Sequence, residues 1–148
     1  IVPYSTFQGT VKASKKWGTP GRKYTLKKAI PNLNLIKDIS NFCCETVLPK
    51  IHSLNNWSCE EAWVNVYEKG DYTEKHNHAA SVMSGILYLN DVDQNLIFPD
   101  LRISVKPRKG TFLLFSPWLD HMTDVNKTET TKYAIPFNFM EYKHKDWS

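Results

Sequence analysis

The chain has few cysteines, and their arrangement excludes two kinds of small stabilised domain. Of the three present, Cys43 and Cys44 are adjacent and Cys59 stands apart. This arrangement fits neither an even disulfide framework nor the CxxC spacing of a zinc knuckle. We therefore expect a reducing, cytoplasmic location.

Long apolar runs and targeting signals are also missing. No stretch approaches the roughly 20 apolar residues that a membrane-spanning helix requires, so no membrane partner is expected. The opening residues, IVPYSTF, lack the basic region and apolar core of a signal peptide. The sequence contains neither an internal repeat nor a low-complexity tract.

The residues that are present suit one globular domain spanning positions 1–148. The composition, 41% hydrophobic and 13% aromatic, is enough for a core of its own. The net charge is only +4, although basic residues crowd the first third of the chain. Such a patch could meet nucleic acid or another acidic partner, but a solvated surface is the simpler explanation. The patch consists of Lys12, Lys15, Lys16, Arg22, Lys23, Lys27 and Lys28.

Residues 1–60 are expected to form a lead-in strand and a supporting helix. Phe7–Val11 suits a strand, and residues 18–21 suit a turn. A helix is predicted from Asn34, a suitable N-cap, to Pro49, which should end it. Its Cys43 could be a reactive thiol or simply a core residue. The predicted buried stripe comprises Leu35, Ile36, Ile39, Phe42, Cys43 and Val47.

After a predicted loop at Asn55–Ser58, the apolar period changes from 3.6 to 2 and stays there. Many short strands after one helix favour an all-β core, either a barrel or a sandwich. The core is placed at residues 61–142. The predicted strands are Ala62–Glu68, Tyr72–His78, Val82–Leu89, Leu96–Phe98, Arg102–Lys106, Thr111–Phe115, His121–Val125 and Lys132–Tyr142.

Three histidines are the candidate metal ligands. His76 and His78 are two apart, so as strand neighbours they would project to one face. His121, at the end of a later strand, could supply a third imidazole and leave other coordination positions open. Glu74 shares the parity of His76 and is the alternative third ligand, whereas Asp120 should point away. An HxH pair alone can also arise by chance.

Four sequence blocks between Trp63 and Phe139 resemble the prolyl-4-hydroxylase-like branch of the iron(II)- and 2-oxoglutarate-dependent oxygenases. The first block resembles a Y-x-x-G entry into an H-x-D metal motif, and the second and third resemble YLNDV…F-P-[ED] and V-x-P-x-x-G-x-x-L-x-F. The chain also resembles small phage and bacterial oxygenases of that superfamily. The blocks read YEKGDYTEKHNH, ILYLNDVDQNLIFPD, ISVKPRKGTFLLF and, after His121, KYAIPFNF.

The resemblance implies a double-stranded β-helix, a jelly-roll or cupin-like barrel, flanked by the N-terminal helix. It implies Fe(II) bound by His76 and His121, with His78 where the family has Asp. It further implies that Lys132 pairs with the distal carboxylate of 2-oxoglutarate. The other residues expected around the cosubstrate are Tyr67, Tyr88 and Ser84 by family position, and Asn65 and Asn138 by strand parity.

The implied activity is hydroxylation of a substrate by O2, with release of succinate and CO2. The family's substrates include peptidyl proline, other protein side chains, free amino acids and nucleobases, and no stretch of the chain selects among them. Two departures from the family are the His at position 78 and the glycine-free turn Asp93–Asn95.

Several alternatives stay open. Lys132 could be a solvent-facing edge lysine, and Tyr67 and Tyr88 could be ordinary core aromatics. The whole chain could be a cupin-like three-histidine dioxygenase that does not use 2-oxoglutarate. It could also be a non-catalytic barrel that binds a metal or ligand.

Overall fold

A computed structural model describes residues 12–13, 22–24, 34–51, 55–77 and 83–143. Three predicted features lie outside these residues: the strand Phe7–Val11, the turn at 18–21 and His78. In the described part of the chain, no helix is long and apolar enough to cross a membrane. Its strands are β1 (Lys12–Ala13), β2 (Arg22–Tyr24), β3 (Asn55–Ala62), β4 (Val64–Tyr67), β5 (Met83–Tyr88), β6 (Leu96–Phe98), β7 (Ile103–Val105), β8 (Phe112–Phe115), β9 (Met122–Thr123) and β10 (Lys132–Lys143).

The helix α1 (Asn34–Phe42) continues into a π-helical turn, Cys43–Val47, and a 3-10 turn, Leu48–Lys50. Pro49 lies in that last turn, so the helical region ends where it was predicted to end. The predicted stripe was wrong at two positions. Leu35 and Phe42 are 65% and 59% exposed, because they lie one residue, about 100° of rotation, away from the buried positions. The buried side chains are Ile36, Ser40, Cys43, Cys44 and Leu48.

Cys43 is a core residue. Its side chain is buried in the apolar cluster, and burial raises the pKa of its thiol to about 11. A thiol that stays protonated at neutral pH is a poor nucleophile.

Two antiparallel sheets form the body of the molecule. The larger has the strand order β1-β2-β4-β10-β5-β8, with β3 also paired to β10, and the smaller has the order β7-β6-β9. The long strand β10 is central: its first half pairs with β4, its second half pairs with β3, and β5 lies along its other edge. An all-β core with a flanking N-terminal helix is therefore confirmed.

Two local predictions were wrong. The segment predicted as the loop Asn55–Ser58 is the start of β3, where Trp57 and Cys59 are buried in alternation against β10. Its polar residues resemble a loop, but they lie on the other face of the strand. In its described part, residues 72–77, the predicted strand Tyr72–His78 is irregular and makes an isolated bridge, His76 to His121. Its backbone groups form hydrogen bonds to separate partners; for example, Thr73 N donates to the Thr123 hydroxyl.

The larger sheet has two different faces. Its outer face packs on the helical segment through Val64, Leu87, Ile135, Phe137 and Phe139. Its inner face is directed at the smaller sheet, since Phe115 of β8 contacts Phe98 of β6 with ring centroids 5.0 Å apart. Directly paired residues of antiparallel strands project to the same side. The strand register therefore gives the inner face Asn65, Tyr67, Ser84, Ile86, Tyr88, Phe115, Lys132, Ala134 and Asn138.

Candidate active site between the two sheets

His76 and His121 lie side by side between the two sheets. Their backbones exchange two hydrogen bonds, of 3.0 Å from His76 N and 2.9 Å from His121 N. Their ring centroids are 4.3 Å apart with an interplanar angle of 56°. His121 is 4% exposed and His76 is half-buried, so His121 lies inside the fold and His76 is partly open to solvent.

The two imidazoles have matching hydrogen bonds. The Nδ1 atom of His76 is 2.8 Å from the Glu74 carbonyl, and the Nδ1 atom of His121 is 2.9 Å from the Leu119 carbonyl. Because a carbonyl oxygen only accepts, each Nδ1 donates its proton, and in the neutral imidazole Nε2 is then the acceptor nitrogen. This arrangement is typical of metal-binding histidines.

The structure brings together two of the three predicted ligands. His78 lies outside the described residues. Glu74 is exposed, and among the residues described no three His, Cys, Asp or Glu side chains are grouped closely enough to hold a metal ion. Asp120 accepts a hydrogen bond of 3.0 Å from Asn77 Nδ2. Neither carboxylate therefore joins the histidine pair.

Aromatic side chains enclose His121. The ring of Phe115 lies 5.0 Å from the imidazole and the ring of Phe98 lies 6.1 Å from it, measured between centroids. The two rings shield the histidine pair on the side of β6 and β8. Trp118, on the loop that leads to His121, is 68% exposed, so it does not contribute to this wall.

Lys132 is buried at the opposite end of the inner face. It is 2% exposed, and its Nζ lies 4.7 Å from the ring centroid of Tyr67 and 5.6 Å from that of Tyr88. Within the described ranges, neither a hydrogen bond nor an ion pair reaches this ammonium group. Burial lowers its pKa to about 7. Lys132 is therefore not a solvent-facing edge lysine.

Tyr67 is held by a chain of hydrogen bonds. Its hydroxyl is 2.6 Å from Thr73 Oγ1 and 3.5 Å from Asn65 Nδ2. Asn65 in turn accepts a hydrogen bond of 2.8 Å from the Trp63 indole. The contacts fix the tyrosine ring beneath the lysine. Burial raises the pKa of Tyr67, so its hydroxyl stays protonated at neutral pH.

Two buried hydroxyl groups on the inner face have no partner among the described residues. One is the Tyr88 hydroxyl, near Lys132, and the other is the Ser84 hydroxyl. Burial also raises the pKa of Tyr88. An unsatisfied buried hydroxyl costs free energy of about 1–3 kcal/mol. Both groups are therefore suited to receive a polar ligand.

Ser84 and Asn138 stand at the histidine end. They pair directly across the sheet, and Ser84 also pairs with Phe115, whose ring contacts His121. Asn138 donates a hydrogen bond of 3.0 Å to Glu61 Oε2. The six predicted cosubstrate residues thus share one face but divide between its two ends.

Thr73 and Thr123 connect the segments that carry the histidines to Tyr67. Thr123 N donates to the Thr73 carbonyl over 3.1 Å, and Thr73 contacts the Tyr67 hydroxyl. Through these contacts the segment of His121 is connected to Tyr67, whose ring lies beneath Lys132.

Sequence reasoning missed Gln94, which is fully buried. Its Nε2 donates hydrogen bonds of 2.9 Å to the Asp71 carbonyl and 2.7 Å to the Asp124 carbonyl. These carbonyls belong to the segments that carry His76 and His121, so Gln94 ties the two segments together. Its position in a glycine-free turn was noticed as a departure, but nothing in the pattern indicated burial.

Comparisons with known proteins agree with this arrangement. A family model described as "Putative 2OG-Fe(II) oxygenase" matches residues 61–102. Over these residues, the resemblance to 2-oxoglutarate- and iron(II)-dependent oxygenases is confirmed. This match supports an oxidoreductase. No curated protein matches the sequence at a significant level.

Solved structures share the fold at low sequence identity. A viral collagen prolyl hydroxylase from Paramecium bursaria Chlorella virus-1, in complex with 2-oxoglutarate, is 20% identical with a TM-score of 0.62, over 73% of this chain and 72% of that chain. A prolyl-4-hydroxylase from Pseudomonas putida is 13% identical with a TM-score of 0.55, over 91% and 78%. The double-stranded β-helix is thereby confirmed as the fold.

Proposed function

We propose that the chain is an Fe(II)- and 2-oxoglutarate-dependent dioxygenase that hydroxylates its substrate and releases succinate and CO2. The observation that carries the proposal is Lys132, an ammonium group buried against two tyrosine rings. Burying an ammonium without a counter-ion is costly. A carboxylate ligand would remove that cost.

The donor groups fit both cofactors. His76 and His121 would bind iron through Nε2, which is the acceptor nitrogen in this tautomer, and His78 would complete a facial set of three neutral ligands. Lys132 and the hydroxyls of Tyr67 and Tyr88 would bind the distal carboxylate of 2-oxoglutarate. Asn65 would keep Tyr67 in position, while Ser84 and Asn138 would line the metal end.

When bound, iron with 2-oxoglutarate couples decarboxylation of the keto acid to oxygen insertion into a C–H bond. The protein supports this chemistry by position and environment. Lys132 and Tyr67 orient the diacid so that its other end is directed at the histidines. Phe98 and Phe115 exclude water from the imidazole they enclose.

The three-histidine set also favours a second candidate, a cupin-like dioxygenase that does not use 2-oxoglutarate. His78 in place of the family's Asp is the observation behind it. For that enzyme, Lys132 would have no role. The burial of the Lys132 ammonium on the inner face favours the first candidate.

Anaerobic titration of the Fe(II)-loaded protein with 2-oxoglutarate separates the two. The proposal predicts a weak metal-to-ligand absorption band from the chelated keto acid, followed by succinate formation on admission of O2. His121→Ala should lose the band. Bound iron with no band, and no succinate, would favour the cupin-like enzyme, whereas failure to bind iron would favour a non-catalytic barrel.

A further inference from the structure

The inner face carries opposite charges at its two ends. Lys132 stands at one end, and Glu61 stands beside Asn138 at the histidine end. Glu68, which follows Tyr67, lies at the lysine end instead. The opposite charges are therefore those of Lys132 and Glu61.

Glu61 is oriented towards the site by a buried residue. The register pairs Glu61 with Asn138, and Asn138 with Ser84, so the three side chains form one row across the inner face. Asn138 is buried and donates a hydrogen bond of 3.0 Å to Glu61 Oε2. The neighbouring Glu60 is held instead by the hydroxyls of Ser58 and Tyr142.

A second observation in the same row indicates a ligand. Ser84 is 2% exposed, and its hydroxyl has no partner in the described part of the chain. The row lies four residues along β10 from Ala134, which pairs with Tyr88, a distance of ~13 Å. The row therefore lies well away from Lys132, at the end where a metal held by the histidines would meet the substrate.

We infer that Glu61, positioned by Asn138, binds a cationic group of the primary substrate, so that the substrate class is a lysine-like or arginine-like side chain. This inference rests on the proposed function. One carboxylate oxygen accepts from Asn138, and the other is available to an ammonium or guanidinium group. The Ser84 hydroxyl, two strands (~10 Å) from Glu61, would bond another part of the same ligand. Lys75, exposed beside His76, is the side chain that would favour an acidic substrate instead.

Three blocked tripeptides test the inference: acetyl-Ala-Lys-Ala-amide, its norleucine analogue and its glutamate analogue. Their binding is measured by calorimetry on Zn(II)-loaded protein with 2-oxoglutarate, so that no turnover occurs. The lysine peptide should bind about tenfold more tightly than the norleucine peptide. Glu61→Gln should abolish that preference, and Asn138→Ala should reduce it. Glu60→Gln, which makes the same charge change at the adjacent residue, should retain it.

Equal binding of the lysine and norleucine peptides, preference for the glutamate peptide, or absence of binding by all three would overturn the inference. So would a lysine preference that survives in Glu61→Gln. The affinity for 2-oxoglutarate is measured separately and should be unchanged in Glu61→Gln. If wild-type protein binds 2-oxoglutarate but shows no lysine preference, only this inference fails; if it does not bind 2-oxoglutarate, the proposed function fails as well.

Discussion

The imidazoles of His76 and His121 lie with their centroids 4.3 Å apart, and each directs Nδ1 at the carbonyl two residues before it. Backbone carbonyls thus set the same tautomer in both rings. Both rings therefore have the tautomer that is typical of metal-binding histidines.

We expect His76→Ala or His121→Ala to lower Fe(II) affinity at least tenfold, because each removes one preorganised ligand. Metal content after dialysis, measured by mass spectrometry, checks this. Glu74→Gln, a change at an exposed carboxylate that does not join the histidine pair, serves as the control and should bind one equivalent. Full metal content in both site variants would contradict the ligand assignment.

The affinity for 2-oxoglutarate should depend on pH through Lys132. Burial lowers the pKa of this lysine to about 7 in the free protein, and a bound carboxylate favours the charged form and raises the pKa again. Affinity should therefore be highest below pH 7 and fall by up to tenfold per pH unit above it, with proton uptake on binding. Calorimetry in two buffers of different ionisation enthalpy measures that uptake. Affinity that rises from pH 7 to pH 9 would have the wrong sign.

Gln94 should stabilise the fold through its amide group. Gln94→Glu keeps the shape of the side chain but removes the donor, which leaves the carbonyls of Asp71 and Asp124 without this partner. Since an unsatisfied buried polar group costs about 1–3 kcal/mol, the free energy of unfolding should fall by at least that amount at pH 7. Urea denaturation gives the value. A variant as stable as the wild type would show that the amide contacts contribute nothing.

Gly85 is required by packing on the outer face of the larger sheet. A Cβ atom at this position would lie 2.8 Å from Phe112 Cζ and 3.3 Å from Phe139. Gly85→Ala should therefore destabilise the protein by about 1–3 kcal/mol, as overpacked cores do. Adding Phe112→Leu should restore part of the loss in the same urea measurement. If the second change destabilises further, the clash is not the cause.

The sequence predicted the parts of the site that depend on residue type and alternation. The family resemblance assigned Lys132 and Tyr67 to the cosubstrate, and strand parity added Asn65 and Asn138, because a strand has a fixed period of two. Residue type selected the histidines at 76 and 121. These residues have distinctive chemistry, and single-residue patterns reveal them.

The remaining features depend on tertiary contacts that a linear pattern does not contain. Gln94 and Asn126 are buried amides that donate hydrogen bonds to backbone carbonyls distant in sequence. The sequence around each of them resembles that of a surface turn. The strand β3 was mistaken for a loop because its buried positions are Trp57 and Cys59 among polar neighbours. The segment that carries His76 is irregular because its backbone hydrogen bonds to His121 and Thr123 do not form a continuous ladder.

The central claim is that Lys132 receives the distal carboxylate of 2-oxoglutarate. Calorimetric titration of Zn(II)-loaded protein with 2-oxoglutarate at pH 6, where the ammonium is charged, tests it most directly. Lys132→Met, which keeps the length of the side chain, should lower the affinity by roughly a hundredfold while metal content is unchanged. Lys127→Met, at an exposed position, should bind as the wild type does. Wild-type affinity in Lys132→Met would contradict the claim.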